Sequence, residues 1–336
     1  MRPSVPAAAI SVVSALLFIA AAVALAQKPP QSSPLNKLQA ARSVLGAHFA
    51  DIQRRSGMAA DLQERLDTDI GQFLTHQRPS WMTDAEYGDY TKDTATLDAS
   101  LVHQLATGRY HDLASVRGQD DIPYLTPADG TMQPMAVYVP VSYDPKRATK
   151  LVVFLHGRTW TENDILAAQP VIREDAAATN AIIIAPYGRG DNQYADPASA
   201  DVYAALDVAE RAFKVDCNRV YLAGHSMGGY GVFVVGPKHP QKWAGILAAS
   251  GGINNDTADA IDALGDVPVY VVWGTHDEYA PAGYFQKVVD TLKSSGVVAQ
   301  GYEERDGRHA IDTIRASFDK AWRAMLSNSR QRNNGC

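Results

Sequence analysis

Apolar positions recur in two rhythms along the chain, and the change between them divides it. Between Leu35 and about Val116 the spacing is three or four residues. Leu38, Ala41, Leu45, Phe49 and Ile52 fall on one face. After a break at Ser56-Gly57 the spacing returns in Met58, Leu62, Leu66, Ile70 and Phe73 or Leu74. Such periodicity predicts amphipathic helices, because side chains three and four apart stack on one side of a helix. Leu97, Leu101 and Leu105 predict a third helix, and an aromatic group of Trp81, Tyr87 and Tyr90 lies between. The favoured reading is a small helical bundle packed on the rest of the chain; the sharper one is a cap over a binding site.

From Tyr124 the rhythm changes. Met135 to Pro140 alternates, and Lys150 to Leu155 runs apolar into His156-Gly157. Further short apolar runs cover Ala181 to Ala185, Val220 to Ala223, Gly245 to Ala249 and Val267 to Val272. Amphipathic stretches separate them at Thr161 to Arg173, Ala198 to Phe213, Tyr230 to Lys238, Pro281 to Ser295 and Ile314 to Leu326. Continuous apolar strands alternating with helices predict an α/β fold whose mostly parallel sheet is covered on both faces. Ligands of such sheets bind beyond the carboxyl ends of the strands.

The ends of the chain read differently. Arg2 precedes a nearly unbroken apolar run from Ile10 to Ala24, and Ala24-Leu25-Ala26 has the small-x-small pattern of a signal-peptidase site. Residues 1–26 are therefore expected to be a signal peptide and the protein to be secreted or periplasmic. An uncleaved membrane anchor is the competing expectation, and the apolar run is short for it. A Pro/Ser-rich linker (27–34), a helical segment (35–118), a catalytic α/β domain (119–328) and a polar tail (329–336) complete the expected organisation.

Net charge and cysteine content narrow the class further. A net charge of −6 without any basic stripe argues against nucleic acid and anionic membrane surfaces, which both reward clustered Lys and Arg. Two cysteines occur, Cys217 and Cys336. An oxidising compartment permits a bridge between them, but Cys336 ends a polar tail where order is usually lost, and the balance falls against pairing.

The chemistry centres on Val220 to Tyr230, where an apolar strand runs into Gly224-His225-Ser226-Met227-Gly228 and then a helical stretch. Strand, sharp turn and helix form a nucleophile elbow, which lifts a serine hydroxyl above a sheet. Glycines on either side let strand and helix approach closely. A serine needs a base, and the base an orienting acid. In elbow hydrolases these follow in the order nucleophile, acid, histidine. The strand from Val267 to Trp273 ends in Gly274-Thr275-His276-Asp277-Glu278, which makes Asp277 the expected acid, with Glu278 its neighbour and competitor. His309, in the loop after Val298 to Glu304, is the one histidine downstream of Asp277. The oxyanion donors expected are the N–H of Met227 and the N–H of Arg158, in the loop after Leu155-His156-Gly157. His156 and His225 are expected to hydrogen-bond within their loops. Trp160, Tyr187, Tyr279 and Tyr284 are weak candidates for an aromatic substrate pocket. No metal is expected, since H-E-x-x-H and C-x-x-C spacings are missing. Nor is a nucleotide cofactor, since no glycine-rich phosphate loop occurs.

Leu155-His156-Gly157, Asn218 to Gly231, His239 to Gly245 and Trp273 to Asp277 together resemble an α/β-hydrolase of the esterase and prolyl-oligopeptidase-like kind, of phospholipase/carboxylesterase type. The resemblance runs from about Tyr124 to the last helix. It implies a Ser-Asp-His hydrolase acting on a small-molecule or polysaccharide-linked carboxylic ester. The helical segment before Tyr124 is not part of that pattern, and no propeller precedes the hydrolase domain, which makes specialised peptide cleavage a lesser expectation. A serine peptidase or amidase is the alternative. A binding protein or lyase on the same fold comes after it, because the full set of Ser226, Asp277 and His309 argues for catalysis.

Overall fold

The computed structural model describes residues 32–330. The expected signal peptide, linker residues 27–31 and tail residues 331–336 lie outside the described residues. Four helices come first: α1 (Pro34–Ala47), α2 (Phe49–Ser56), α3 (Ala59–Leu74) and α4 (Asp84–Thr107). Two features of the sequence reading change here. The first predicted helix is broken at His48, which leaves Phe49 37% exposed instead of in the core. The third predicted helix starts earlier, because Thr83 and Glu86 form a reciprocal capping box. It thereby takes in Tyr87 and Tyr90, and it stops at Gly108 with φ 68°. Leu38, Leu45, Leu62, Leu66, Leu101 and Leu105 form the apolar centre of this layer.

The rest of the chain is an eight-stranded sheet. Its strands are β1 (Gly118–Leu125), β2 (Met132–Val139), β3 (Thr149–Leu155), β4 (Ala181–Pro186), β5 (Val215–His225), β6 (Gly245–Ala249), β7 (Val269–Gly274) and β8 (Ala299–Glu304). The spatial order is β1-β2-β4-β3-β5-β6-β7-β8, with antiparallel pairing at β1–β2 and β2–β4 and parallel pairing elsewhere. Helices α5 (Glu162–Ala167), α6 (Pro170–Thr179), α7 (Ala198–Ala212), α8 (Met227–Val235), α9 (Tyr284–Ser294) and α10 (Arg315–Leu326) connect and cover the strands. All residues of β4, β6 and β7 are buried, as strands covered on both faces require. Leu222, Ile246 and Val271 pack with α7, α8 and α9 on one face; Tyr221, Leu247 and Val272 pack with α6 and α10 on the other.

The stretch expected to be one helix from Thr161 to Arg173 is two, because Pro170 opens α6 and excludes Gln169 from helical geometry. Pro281, expected to open α9, sits three residues before it in a turn that accepts the Tyr284 N–H at 3.0 Å. Cys217 on β5 is disulfide-bonded, against the balance struck from the sequence; Cys336, the chain's other cysteine, lies outside the described residues. No helix among the described residues is long and apolar enough to cross a membrane.

The helical layer sits on the β1 and β2 side of the sheet through polar groups. Arg65 of α3 meets Asp98 of α4 and Glu162 of α5, the latter at 2.7 Å. Asn163 Nδ2 donates to Asp98 at 3.1 Å and to Asp121 at 2.9 Å, and Tyr90 donates to Asp164 at 3.1 Å. The bundle reading of this segment therefore holds. It also reaches the site described next, through Trp81.

Candidate active site

Strand β5 leads into the site, and the turn at its end sets Ser226, the expected nucleophile. Ser226 adopts φ 55° and ψ −119°, a left-handed conformation that a non-glycine residue rarely holds without support. Two glycines supply that support. A Cβ on Gly224 would lie 2.2 Å from the Gly228 carbonyl oxygen, and one on Gly228 would lie 2.1 Å from the Leu155 carbonyl oxygen. Only residues without a side chain let strand and helix close to this distance, and α8 starts at Met227 directly after the turn.

Asp277 and His309, the expected acid and base, arrive from the loops after β7 and β8. Gly274 ends β7 beside Glu304 of β8, and the paired strand ends bring their loops together. His309 Nε2 is 2.8 Å from Ser226 Oγ, and His309 Nδ1 is 3.0 and 2.9 Å from the two oxygens of Asp277. The side chain of Asp277 is 3% exposed and that of His309 16%. Burial on its own would raise the Asp277 carboxyl; the hydrogen bond and charge of His309 outweigh it and hold the group below the usual range. Its competitor Glu278 accepts the backbone N–H of His309 at 3.2 Å and faces Arg308, so it braces the loop rather than the ring.

His225 and His156, expected to bond within their loops, each bond across to a neighbouring one. Burial, then the neighbouring His309, depress the His225 imidazole to about 3. It is neutral at physiological pH, and its Nε2 bonds the His309 carbonyl at 2.9 Å. His156 lies 2.8 Å from the Gly157 carbonyl and 2.6 Å from that of Tyr187. Its backbone N–H donates to the buried Tyr194 hydroxyl at 2.8 Å. These bonds fix the loop that presents Arg158. Gly157 lies so near the elbow that a Cβ there would be 3.4 Å from Ser226 Cβ. Met227 opens α8, so its N–H precedes the helical ladder. Among the described residues no backbone carbonyl takes the Arg158 N–H. The Arg158 side chain is exposed.

Above these groups lies a cavity of about 710 Å³ lined by Ser226, His309, Arg158, Met227, Trp160 and Tyr279 among others. Tyr279 is 77% exposed and sets its ring edge-on to His309 at 4.6 Å. Tyr187 does not line this cavity: it follows β4 and stacks on His156 at 6.4 Å, on the far side of the loop. Tyr284 packs beside Tyr230 and donates to the Ile253 carbonyl at 2.7 Å. Trp81, Gln193, Tyr230 and Asn254 line the cavity as well, and the sequence reading did not assign them. Each comes from a loop or helix start whose approach to the site depends on folding alone. Trp81 carried the one usable signal, an aromatic residue between two helices. No group of acidic, His or Cys side chains among the described residues is arranged to hold a metal.

The sequence matches the Esterase family over residues 129–325. None of the curated proteins matches it. Among solved structures, a thermostable esterase is 21% identical with TM-score 0.48, and the chain spans 63% of that protein's length as well as 63% of its own. FphF, a fluorophosphonate-binding serine hydrolase of Staphylococcus aureus, is 18% identical over 62% of this chain and 98% of that one, with TM-score 0.52. A ferulic acid esterase is 18% identical over 62% and 99%, with TM-score 0.50. The last two likenesses concern the fold alone; the family match, which spans more than half of the sequence, settles the kinship. The chain belongs to the Esterase family, whose chemistry is the hydrolysis of carboxylic esters, and its fold is that of the α/β-hydrolases.

Proposed function

We propose that Ser226, His309 and Asp277 hydrolyse a carboxylic ester through an acyl-enzyme. The observation that carries this reading is the unbroken relay of 2.8 Å from Ser226 Oγ to His309 Nε2 and 2.9 Å from His309 Nδ1 to Asp277. His309 takes the hydroxyl proton as Ser226 Oγ attacks the ester carbonyl, and Asp277 holds the ring in the required tautomer and stabilises its charge. The oxyanion accepts hydrogen bonds from the N–H groups of Met227 and Arg158, fixed dipoles that need no reorganisation. Collapse breaks the bond to the alcohol oxygen, which takes the proton from His309 Nε2. Water, deprotonated by the same imidazole, then attacks the acyl-enzyme and frees Ser226 and the acid.

The substrate is a small-molecule ester or one linked to a polysaccharide, with Trp160 and Tyr279 against its acyl group. Residues 1–26 direct export, and N-terminal sequencing of the mature protein, expected to begin at Gln27, tests that. The central test is turnover of p-nitrophenyl acetate, butyrate and octanoate by the wild type and by Ser226→Ala. Turnover confined to the wild type supports the nucleophile. Equal rates in both proteins would overturn it.

A further inference from the structure

A second cavity, of about 820 Å³, adjoins the catalytic one. Trp81, Thr159 and Trp160 line both. The two tryptophan rings lie 6.5 Å apart at 40° and are only partly buried, so the rim between the cavities is open to solvent. Helix α3 of the helical layer forms the far wall.

The chemistry of the lining is one-sided. Asp61, Glu64, Asp69, Asp164 and Asp191 line it, against two cations, Arg65 and Arg78. Both cations are already engaged: Arg65 with Asp98 and Glu162, Arg78 with Asp84 and the Met82 carbonyl. Asp69 is 8% exposed, and its hydrogen-bonding neighbour is another carboxyl, Asp98. Oδ2 of Asp98 takes no donor from the protein beyond that carboxyl. Asp69 lines the cavity with Asp98 behind it, and the cation beside this pair, Arg65, is shared with Glu162. Burial, then the charges of Asp98 and Asp164, push the Asp69 carboxyl up and outweigh the opposing charge of Arg65. Tyr90 and Tyr187 join the tryptophans in lining the cavity. Aromatic faces beside carboxylates attract an organic cation through the ring quadrupole and through charge. A neutral polyol could also donate to these carboxylates, but it would gain less from their net charge than a cation would.

We propose that this second cavity receives a cationic group, an ammonium or guanidinium, at the far end of an extended ester whose carbonyl lies at Ser226. The inference rests on the hydrolytic reading of Ser226, and the experiment separates the two. Substrate pairs are compared that differ only in a terminal trimethylammonium or its neutral tert-butyl isostere. One series carries the group on the acyl chain and another on the alcohol, each over a range of spacer lengths. In at least one series kcat/KM is expected to favour the cation by about tenfold, the effect of roughly 1.4 kcal/mol. The preference should shrink as ionic strength rises. In Glu64→Gln the cationic ester should lose several-fold more kcat/KM than its isostere. Equal kcat/KM within every pair, preference for the neutral member, or preference for a hydroxyl-rich ester would overturn the proposal. Calorimetry of an alkyl trimethylammonium probe with the Ser226→Ala protein tests the cavity without hydrolysis: saturable binding that Glu64→Gln weakens supports it, and no binding counts against it. Failure of the wild type to turn over p-nitrophenyl acetate would bear on Ser226 alone.

Discussion

The central sheet and the seat of the helical layer are buried to the same depth with opposite materials. Around β5, β6 and β7 the buried side chains are Leu222, Leu247, Val271 and their like. Between the helical layer and β1 and α5 they are Arg65, Asp98, Asp121, Glu162 and Asn163. An apolar core gains free energy with every area removed from water and tolerates small shifts. A buried charge network contributes little net stability, because desolvation offsets the attraction, but it is costly to break. The sheet thus supplies the stability that holds a strained Ser226. The polar seat fixes one orientation of the helical layer, and with it the place of Trp81 at the mouth of the catalytic cavity.

The largest expected effect confines itself to the site and leaves both regions intact. Asp277→Asn keeps the shape of the relay but removes the charge that orients His309. It should lower kcat by about 10⁴-fold with an unchanged melting temperature, both readable from steady-state kinetics and a thermal scan. A loss of folding instead would mean that Asp277 is structural.

Next comes the polar seat. Arg65→Leu leaves Asp98 and Glu162 without their cation and should destabilise by about 3–5 kcal/mol. Limited proteolysis should then cut the helical layer first. Replacing Arg65, Asp98 and Glu162 together with apolar residues should recover most of that loss, since the uncompensated charges go with the arginine. Denaturant titration of the two proteins separates a network that specifies from one that stabilises.

The sheet gives a comparable but differently shaped response. Leu247→Ala opens a cavity in a fully buried strand and should cost about 2–5 kcal/mol. An apolar cavity involves no charge, so this loss should be insensitive to salt. Chemical denaturation at low and high ionic strength would show it.

The smallest effect is on pH. Asp175 of α6 is pushed up to about 7 by burial and by Asp319 of α10. Its carboxyl is neutral in the folded protein at a pH where the unfolded chain has already ionised. Its contribution to stability is therefore full below pH 4 and is lost as pH rises through about 7. Asp175→Asn should raise the melting temperature by about 2 °C at pH 8 and leave it unchanged at pH 4. An equal shift at both would show that the carboxyl does not titrate with folding.

Local patterning made the sheet and the elbow legible. β4, β6 and β7 are short apolar runs, and Gly224-x-Ser226-x-Gly228 needs both glycines because a Cβ at either would lie only 2.2 or 2.1 Å from a backbone oxygen. Chain order then narrowed the partners to Asp277 and His309, because each element end in a parallel sheet delivers its loop to the same edge. What the sequence left open was settled by distance in space. Glu278 and Asp277 are neighbours in the chain, and only the turn after β7 decides which carboxylate meets the imidazole. Tyr187 reads like Trp160, an aromatic residue after a strand, yet packing against His156 holds it on the other side of the loop. Trp81 comes from a segment with no motif, and the buried Arg65 network carries it to the site. Sequence alone determined most of the strands, the elbow around Ser226 and the chain order of Asp277 and His309, since these follow from residue types within a few positions of one another. The tertiary structure decided which side chains share a cavity, because that depends on contacts between residues far apart in the chain.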